Sequence, residues 1–274
     1  MHPYVSIFGY PVGTDGLWML AGLLAGFALL KRLFRARGIR WGCALFVLSC
    51  AFALALLGGY VFYLLFSVGV DALVRAAREG RLLEVLSQGG IVFYGGLLGG
   101  VGGVALGCRA VGLRALPVLD LCAPPLLLGH AFGRVGCLFA GCCYGVPCEL
   151  PFCFALCAQI MGGARLFPVQ LCEAACDLAL CAALLAYLRR PRPVPRATGI
   201  CLMAYAVYRF ALEFLRGDAI RGRVLGLSTS QFLSVPAFLA GAVLCFIVAR
   251  RCIDPSPFRT PEGRIDPPGE AEGV

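Results

Sequence analysis

Charge is scarce in this 274-residue chain: Asp, Glu, Lys and Arg make up 14% of it, and Lys31 is the single lysine. That scarcity excludes a disordered chain and one that coats nucleic acid, because the arginines punctuate apolar runs instead of sharing one solvated, aromatic-lined surface. Residues 1–30 have no basic n-region and no small-residue cleavage site, so no removable signal peptide is expected. No long apolar stretch alternates with the period of a strand, which argues against a membrane barrel. No internal repeat is strong enough to suggest a transporter built from inverted halves.

What the chain has in quantity is apolar side chain. Hydrophobic residues are 60% of the sequence. With glycine counted and tyrosine left out, the share is roughly 70%, against ~45–50% in soluble proteins. A soluble domain of this length cannot hide so much apolar surface, because burial rises only slowly with size. The chain therefore reads as an all-α integral membrane protein. A ~19-residue hydropathy window predicts seven transmembrane helices, at approximately 16–33, 41–67, 90–112, 117–139, 167–188, 197–216 and 231–252. They make a single seven-helix membrane domain over 1–253, followed by a disordered cytoplasmic tail over 254–274, rich in Pro, Gly and charge.

The net charge of +9 is placed unevenly. Lys31, Arg32, Arg35, Arg37 and Arg40 follow the first span, and Arg109 and Arg114 the third. Arg189, Arg190, Arg192 and Arg196 follow the fifth, and Arg250 and Arg251 close the seventh. The segment 71–88 is balanced, with Arg75, Arg78 and Arg81 against Asp71, Glu79 and Glu84. The positive-inside rule then puts the N-terminus outside and the C-terminus in the cytoplasm. The outer loops become 68–89, 140–166 and 217–230.

An ionisable residue inside a span costs a few kcal/mol at the bilayer centre, so each is a candidate for function. The sixth span is the richest, with Tyr205, Arg209, Glu213 and Arg216 in AYAVYRFALEFLRGD. At about 100° per residue the four fall within a roughly 80° arc, and Arg209 and Glu213 are i,i+4 partners. The alternative is a structural ion pair with Arg216 snorkelling at the outer end. The fourth span ends in GHAFGRVGCLFAGCCYG. There Arg134 lies between Gly133 and Gly136, which permit close approach of a backbone or a lipid head group, and a guanidinium suits bidentate phosphate recognition. His130 precedes Arg134 by one turn, and a helix–helix hydrogen bond is its alternative role.

A third cluster is the glycine run at 89–107, GGIVFYGGLLGGVGGVALG, in which Tyr94 precedes Gly95 and Gly96. Tight helix contact alone accounts for glycines at four-residue spacing. Gln170 and Glu173 begin the fifth span, and Gln231 the seventh. Tyr94, Arg134, Glu173, Arg216 and Gln231 share the outer half of the membrane on this topology. An outward-facing chamber with several arginines, and without a metal-ligand set, implies an anionic substrate such as a phospholipid head group.

Five ordered motifs carry a resemblance over about residues 12–250: FYGGLLGG at 93–100, GRVGCLFAGCCYG at 133–145, PVQLCEA at 168–174, YAVYRFALEFLRGD at 205–218 and SQFLSVP at 230–236. In these the chain resembles the bacterial prolipoprotein diacylglyceryl transferase family, seven-helix enzymes of the cytoplasmic (inner) membrane. The resemblance implies transfer of a diacylglyceryl group from phosphatidylglycerol to the lipobox cysteine of a preprolipoprotein signal peptide, yielding a thioether and glycerol phosphate. No cofactor, no metal and no nucleic-acid partner are expected from the sequence. By the same resemblance Arg134 corresponds to the family's head-group-binding arginine and Arg216 to its essential arginine, with Glu213, Tyr205 and Arg209 in matching positions. Tyr94, Arg134 and Arg216 are then the catalytic candidates. Arg134, Gly95, Gly96, Gly133, Gly136, Tyr205, Arg209, Glu213, Gln170 and Gln231 are the substrate-binding ones. The chain departs from the family's pattern at Tyr94, where the family has histidine, and at Cys137 and Cys142, where it has asparagine and an acidic residue. Phe167 stands for another histidine, and no arginine occurs near Leu57.

Cys142, Cys143, Cys148, Cys153 and Cys157 crowd one outer loop. Outside the cytoplasmic membrane disulfides are permitted, so one or two staples are expected, and zinc is disfavoured because the spacing lacks a paired C-x₂-C. Two other functions are compatible with the sequence. One is a divergent paralogue that binds phospholipid or modifies another acceptor; the other is a membrane thiol-redox protein.

Overall fold

The computed structural model describes residues 4–7, 10–87, 90, 92–151, 153–155, 165–190, 193–217, 223–224 and 226–248. These form two compact units, one of residues 33–119 and one of residues 4–32 with 120–248. The expected tail over 254–274 and Cys157 lie outside the described residues. Helices occupy each of the seven segments that hydropathy singled out. Among the described residues five are long and apolar enough to cross a membrane: Thr14–Ala36, Trp41–Leu65, Ala115–Ala140, Val169–Leu188 and Thr229–Phe246. Their outward residues include Leu23, Phe52 and Leu126, each about two-thirds exposed, a surface suited to lipid and costly in water.

In the unit of residues 33–119, α2 (Trp41–Phe62) runs on as a wider π-helical stretch over Tyr63–Gly69. Two short helices follow, α3 (Val70–Arg78) and α4 (Leu82–Ser87), and then α5 (Phe93–Ala110). The segment 68–89, expected as an outer loop, is thus largely helical. Its turns fall at Gly69 and Gly80, with φ of 87° and 71°. Tyr60 donates to the Leu86 carbonyl at 2.7 Å and ties α4 to α2. The glycine run of α5 faces α2: a Cβ on Gly103 would stand 2.6 Å from the Ala51 Cα, and one on Gly107 2.9 Å from the Val47 Cα. Gly95 and Gly99 abut the Gly58 and Leu54 carbonyls in the same way. Helix contact through small residues is therefore what glycine at every fourth position achieves here.

In the other unit, a hairpin of β1 (Tyr4–Ile7) and β2 (Tyr10–Gly13) leads into α1 (Thr14–Ala36). Then come α6 (Ala115–Ala140), β3 (Phe154–Ala155), β4 (Arg165–Leu166) and α7 (Val169–Leu188). The series ends with α8 (Arg196–Glu213), β5 (Arg223–Val224), β6 (Leu227–Ser228) and α9 (Thr229–Val243). Trp18 on α1 stacks on Phe139 of α6 with ring centroids 5.6 Å apart. The same two helices close on Gly136, whose added Cβ would lie 3.1 Å from the Trp18 Cβ. Asp120 of α6 accepts from the Thr198 backbone and hydroxyl, both at 2.7 Å, and so caps the first turn of α8. Burial along α7 selects Val169, Gln170, Glu173, Ala174, Asp177, Cys181, Leu184 and Leu188, a helical stripe that includes two carboxylates and an amide.

Leucine at Gly103 is expected to force α2 and α5 apart, with a loss of about 1–3 kcal/mol. Leucine at Gly102, which has nothing within 4 Å among the described residues, is expected to be tolerated. Thermal unfolding of the two variants in detergent, followed by size-exclusion, checks the contrast.

Candidate active site

The stripe on α7 carries Glu173 into the middle of an ionic chain. Glu173 Oε2 meets Arg134 Nε of α6 at 3.1 Å, and its Oε1 meets Arg209 Nε of α8 at 3.5 Å. Arg209 Nη1 reaches Glu213 Oε2 at 2.7 Å, and Arg216 Nε approaches the same oxygen at 3.9 Å. Arg209 also donates to the Ser230 hydroxyl of α9 at 2.8 Å. None of the five side chains is more than 14% exposed. Isolated charges could not persist at such sites, and each is held by its neighbour of opposite sign. Three guanidiniums against two carboxylates leave a surplus of one positive charge, which favours an anion at this place.

Arg216 reaches the chain by a route the helical wheel did not anticipate. α8 ends at Glu213, and the next three residues tighten into i→i−3 bonds, Phe214 to Ala211, Leu215 to Leu212 and Arg216 to Glu213. Backbone pairing then takes over. Val146 donates to the Leu215 carbonyl at 2.9 Å, Gly217 to the Tyr144 carbonyl at 3.0 Å, and Gly145 to the Phe167 carbonyl at 3.2 Å. Gly217 is obligatory at the crossing, because a Cβ there would stand 2.5 Å from the Gly145 carbonyl oxygen. Arg216 is accordingly off the helix, and with a side chain only 3% exposed it does not snorkel.

The same loop brings three thiols together. α6 stops in a Schellman turn, with Gly141 at φ 73°, Gly141 N bonded to the Leu138 carbonyl and Cys142 N to the Cys137 carbonyl. That turn apposes the fourth-from-last residue of the helix and the second one past its end, which here are Cys137 and Cys142. Cys143 then takes a left-handed φ of 59°, uncommon for a residue with a Cβ. The sulfurs of Cys137, Cys142 and Cys143 all lie within 4.8 Å of one another. Hydrogen bonds from Cys137 and Cys142, with the guanidinium of Arg216, hold the Cys143 thiol well below the ordinary thiol range. Gln170, 1% exposed, pins the Cys142 carbonyl at 2.7 Å. Cys148 and Cys153 form a disulfide, one of the staples expected in this loop.

His130 and its surroundings extend the polar interior by one turn. Its Nδ1 lies 2.7 Å from Asp177 Oδ2, and the other oxygen of Asp177 accepts from Tyr208. Tyr205 sets its ring edge-on to both His130 and Tyr208. The sequence reading passed over Asp177, Tyr208 and Asp120. A carboxylate within an apolar span is itself the signal, and Asp177 follows Glu173 by one helical turn in CEAACDLAL.

The remaining candidates scatter. Gly95 and Gly136 make helix contacts, whereas among the described residues Gly96 meets nothing closer than the Ala55 carbonyl at 3.5 Å, and Gly133 has nothing within 4 Å. Gln231 forms a capping box with Ser228, its backbone N–H donating to the Ser228 hydroxyl and its side chain accepting from the Ser228 N–H. Tyr94 belongs to α5, and its side chain lies outside the described residues.

Comparison with known proteins agrees with the motif order. The sequence pattern of the family described as prolipoprotein diacylglyceryl transferase matches residues 3–247. A phosphatidylglycerol–prolipoprotein diacylglyceryl transferase of Clostridium tetani (strain Massachusetts / E88) is 32% identical over 86% of this chain and 93% of its own. A second protein of that name from Clostridium perfringens (strain 13 / Type A) is 30% identical over 87% and 92%. One from Nitrosospira multiformis is 32% identical over 89% and 86%.

Arg209→Met is expected to leave Glu173 and Glu213 undercompensated and to cost about 3–5 kcal/mol. The double change Arg209→Met with Glu213→Gln should recover part of that loss. Thermal melting of the two variants beside the parent measures the coupling.

Proposed function

The chain belongs to the prolipoprotein diacylglyceryl transferase family, and we propose that it performs the reaction for which its relatives are named. The substrates are phosphatidylglycerol and a preprolipoprotein whose signal peptide carries a lipobox cysteine. The observation that carries this reading is the chain Arg134–Glu173–Arg209–Glu213–Arg216, with its surplus positive charge inside an apolar bundle. Arg134 and Arg216 bind the phosphate and stabilise the charge that grows on its oxygen as glycerol phosphate leaves, an electrostatic device like an oxyanion hole. Glu173 and Glu213 fix the guanidiniums before substrate arrives, so little reorganisation is needed during the reaction. Tyr205 and Arg209 line the same polar interior, and Gln170 positions the loop above it by holding the Cys142 carbonyl.

The setting is the bacterial cytoplasmic membrane. Seven helices cross it as a single domain over 1–253, the N-terminus outside and the tail 254–274 in the cytoplasm, by the distribution of loop arginines. The arginine chain then faces the outer half of the bilayer, where phosphatidylglycerol and a translocated lipobox both arrive. Tyr94 holds the position of the family's histidine and is the candidate acceptor of the thiol proton.

Complementation of a bacterium depleted of its own diacylglyceryl transferase tests the reading. The parent chain is expected to restore growth and lipoprotein maturation, and failure despite stable membrane expression would sink it in favour of another acceptor. Arg134→Ala and Arg216→Ala are each expected to lower transfer by about 10²–10³-fold, measured with phosphatidylglycerol vesicles and a lipobox peptide. Tyr94→Phe separates the hydroxyl from the ring: undiminished transfer would remove Tyr94 from the proton step.

A further inference from the structure

The signature positions that depart from the family's pattern are the ones that meet in space. We propose that Cys137, Cys142 and Cys143 form a three-sulfur site for a thiophilic dication such as zinc. Its open fourth position takes the sulfur of the acceptor cysteine, a role that rests on the transferase reading above.

Three sulfurs bound at ~2.3 Å to one tetrahedral ion stand about 3.8 Å apart. Here they lie within 4.8 Å of one another, so a closure of about 1 Å through thiol rotamers reaches that geometry. The backbone has already assembled the set: the Schellman turn apposes Cys137 and Cys142, and the left-handed Cys143 turns its sulfur back to them. Gln170 holds the turn from α7. An all-sulfur donor set selects a soft or borderline ion over magnesium or calcium. Among the described residues no fourth His, Cys, Asp or Glu joins the group, and Cys142 is exposed. Closed structural zinc sites have four protein ligands, whereas sites that act on a substrate leave one position open. Arg216 lies against Cys143, so the guanidinium that binds the phosphate beside Arg134 also offsets part of the negative charge of the thiolate set.

The chemistry balances without an oxidant or reductant. The three chain thiols release their protons to water as the ion binds. The acceptor thiol coordinates and releases its own proton to water. The metal-bound sulfur then attacks the diacylglyceryl methylene with a lone pair, forming the C–S bond. The C–O bond to phosphate breaks, its electron pair leaves on the phosphate oxygen of glycerol phosphate, and the product thioether, a weak ligand, departs.

The full chain in detergent, loaded with zinc or with cobalt as its spectroscopic substitute, tests this. About one ion per chain is expected, with sulfur-to-cobalt charge-transfer bands. Both should be lost in C137S/C142S/C143S and kept in C148S/C153S. X-ray absorption on the zinc-loaded parent protein needs no variant, and it should count three sulfur neighbours, rising to four when a lipobox peptide is added. A peptide with serine in place of that cysteine should leave the count unchanged. No bound ion, a shell of nitrogen and oxygen, or an intact mass showing a disulfide among these three thiols would overturn the site. A sulfur shell indifferent to the cysteine peptide would overturn the open position. If the peptide enters the shell but never acquires a diacylglyceryl thioether from phosphatidylglycerol vesicles, the site stands and the transferase reading falls.

Discussion

Five charges buried among apolar helices impose the condition that organises the unit around them: no member can be moved without exposing its partner. Glu173 is held from α6 and from α8, and Glu213 is shared between the arginines on either side of a helix end. The pitch of α7, the point at which α8 stops and the hydroxyl of Ser230 on α9 all answer to that requirement. A buried network of this kind adds little net stability over a well-packed apolar core, because desolvation offsets most of the attraction. Its usefulness lies in holding guanidiniums at fixed places in a low-dielectric interior, where an incoming phosphate meets them already oriented.

Much of this was legible in the sequence, and the limit is physical. Long apolar runs force helices whatever their tertiary surroundings, so the segments emerged from hydropathy alone. Arg134, Arg209 and Glu213 announced themselves because a charge in such a run needs a reason. Glu173 shows in the sequence as a polar start to a span, but its place between two arginines depends on two other helices and leaves no periodic trace. Asp177 carries the same signal as Glu173, one helical turn further on. Helical periodicity puts Arg216 on a helix face, because propensity does not register a helix ended by strand-like pairing with a loop some seventy residues earlier. The glycines divide along the same line: Gly95, Gly99, Gly103 and Gly107 follow helical spacing, whereas Gly145 and Gly217 are needed only because two distant backbones cross.

The polar residues that the chain lacks and the sulfurs that it carries belong to one pattern. Asparagine and a carboxylate in the signature would offer hydrogen bonds at the end of α6; Cys137 and Cys142 offer soft ligands at the same points. The loop itself is held by main-chain bonds to the Phe167 and Leu215 carbonyls, by the Gln170 amide and by the Cys148–Cys153 disulfide.

The way α6 stops has an evolutionary corollary. A Schellman turn is a counting device: it closes only when the glycine sits four residues past one partner and one before the other. Cys137, Gly141 and Cys142 satisfy that count, and Cys143 follows directly. Point changes can repaint the pocket while the interval survives, but a single inserted or deleted codon between 137 and 142 would throw the partners onto different sides of the helix end. This stretch of the gene is therefore expected to diversify by substitution and to resist changes of length.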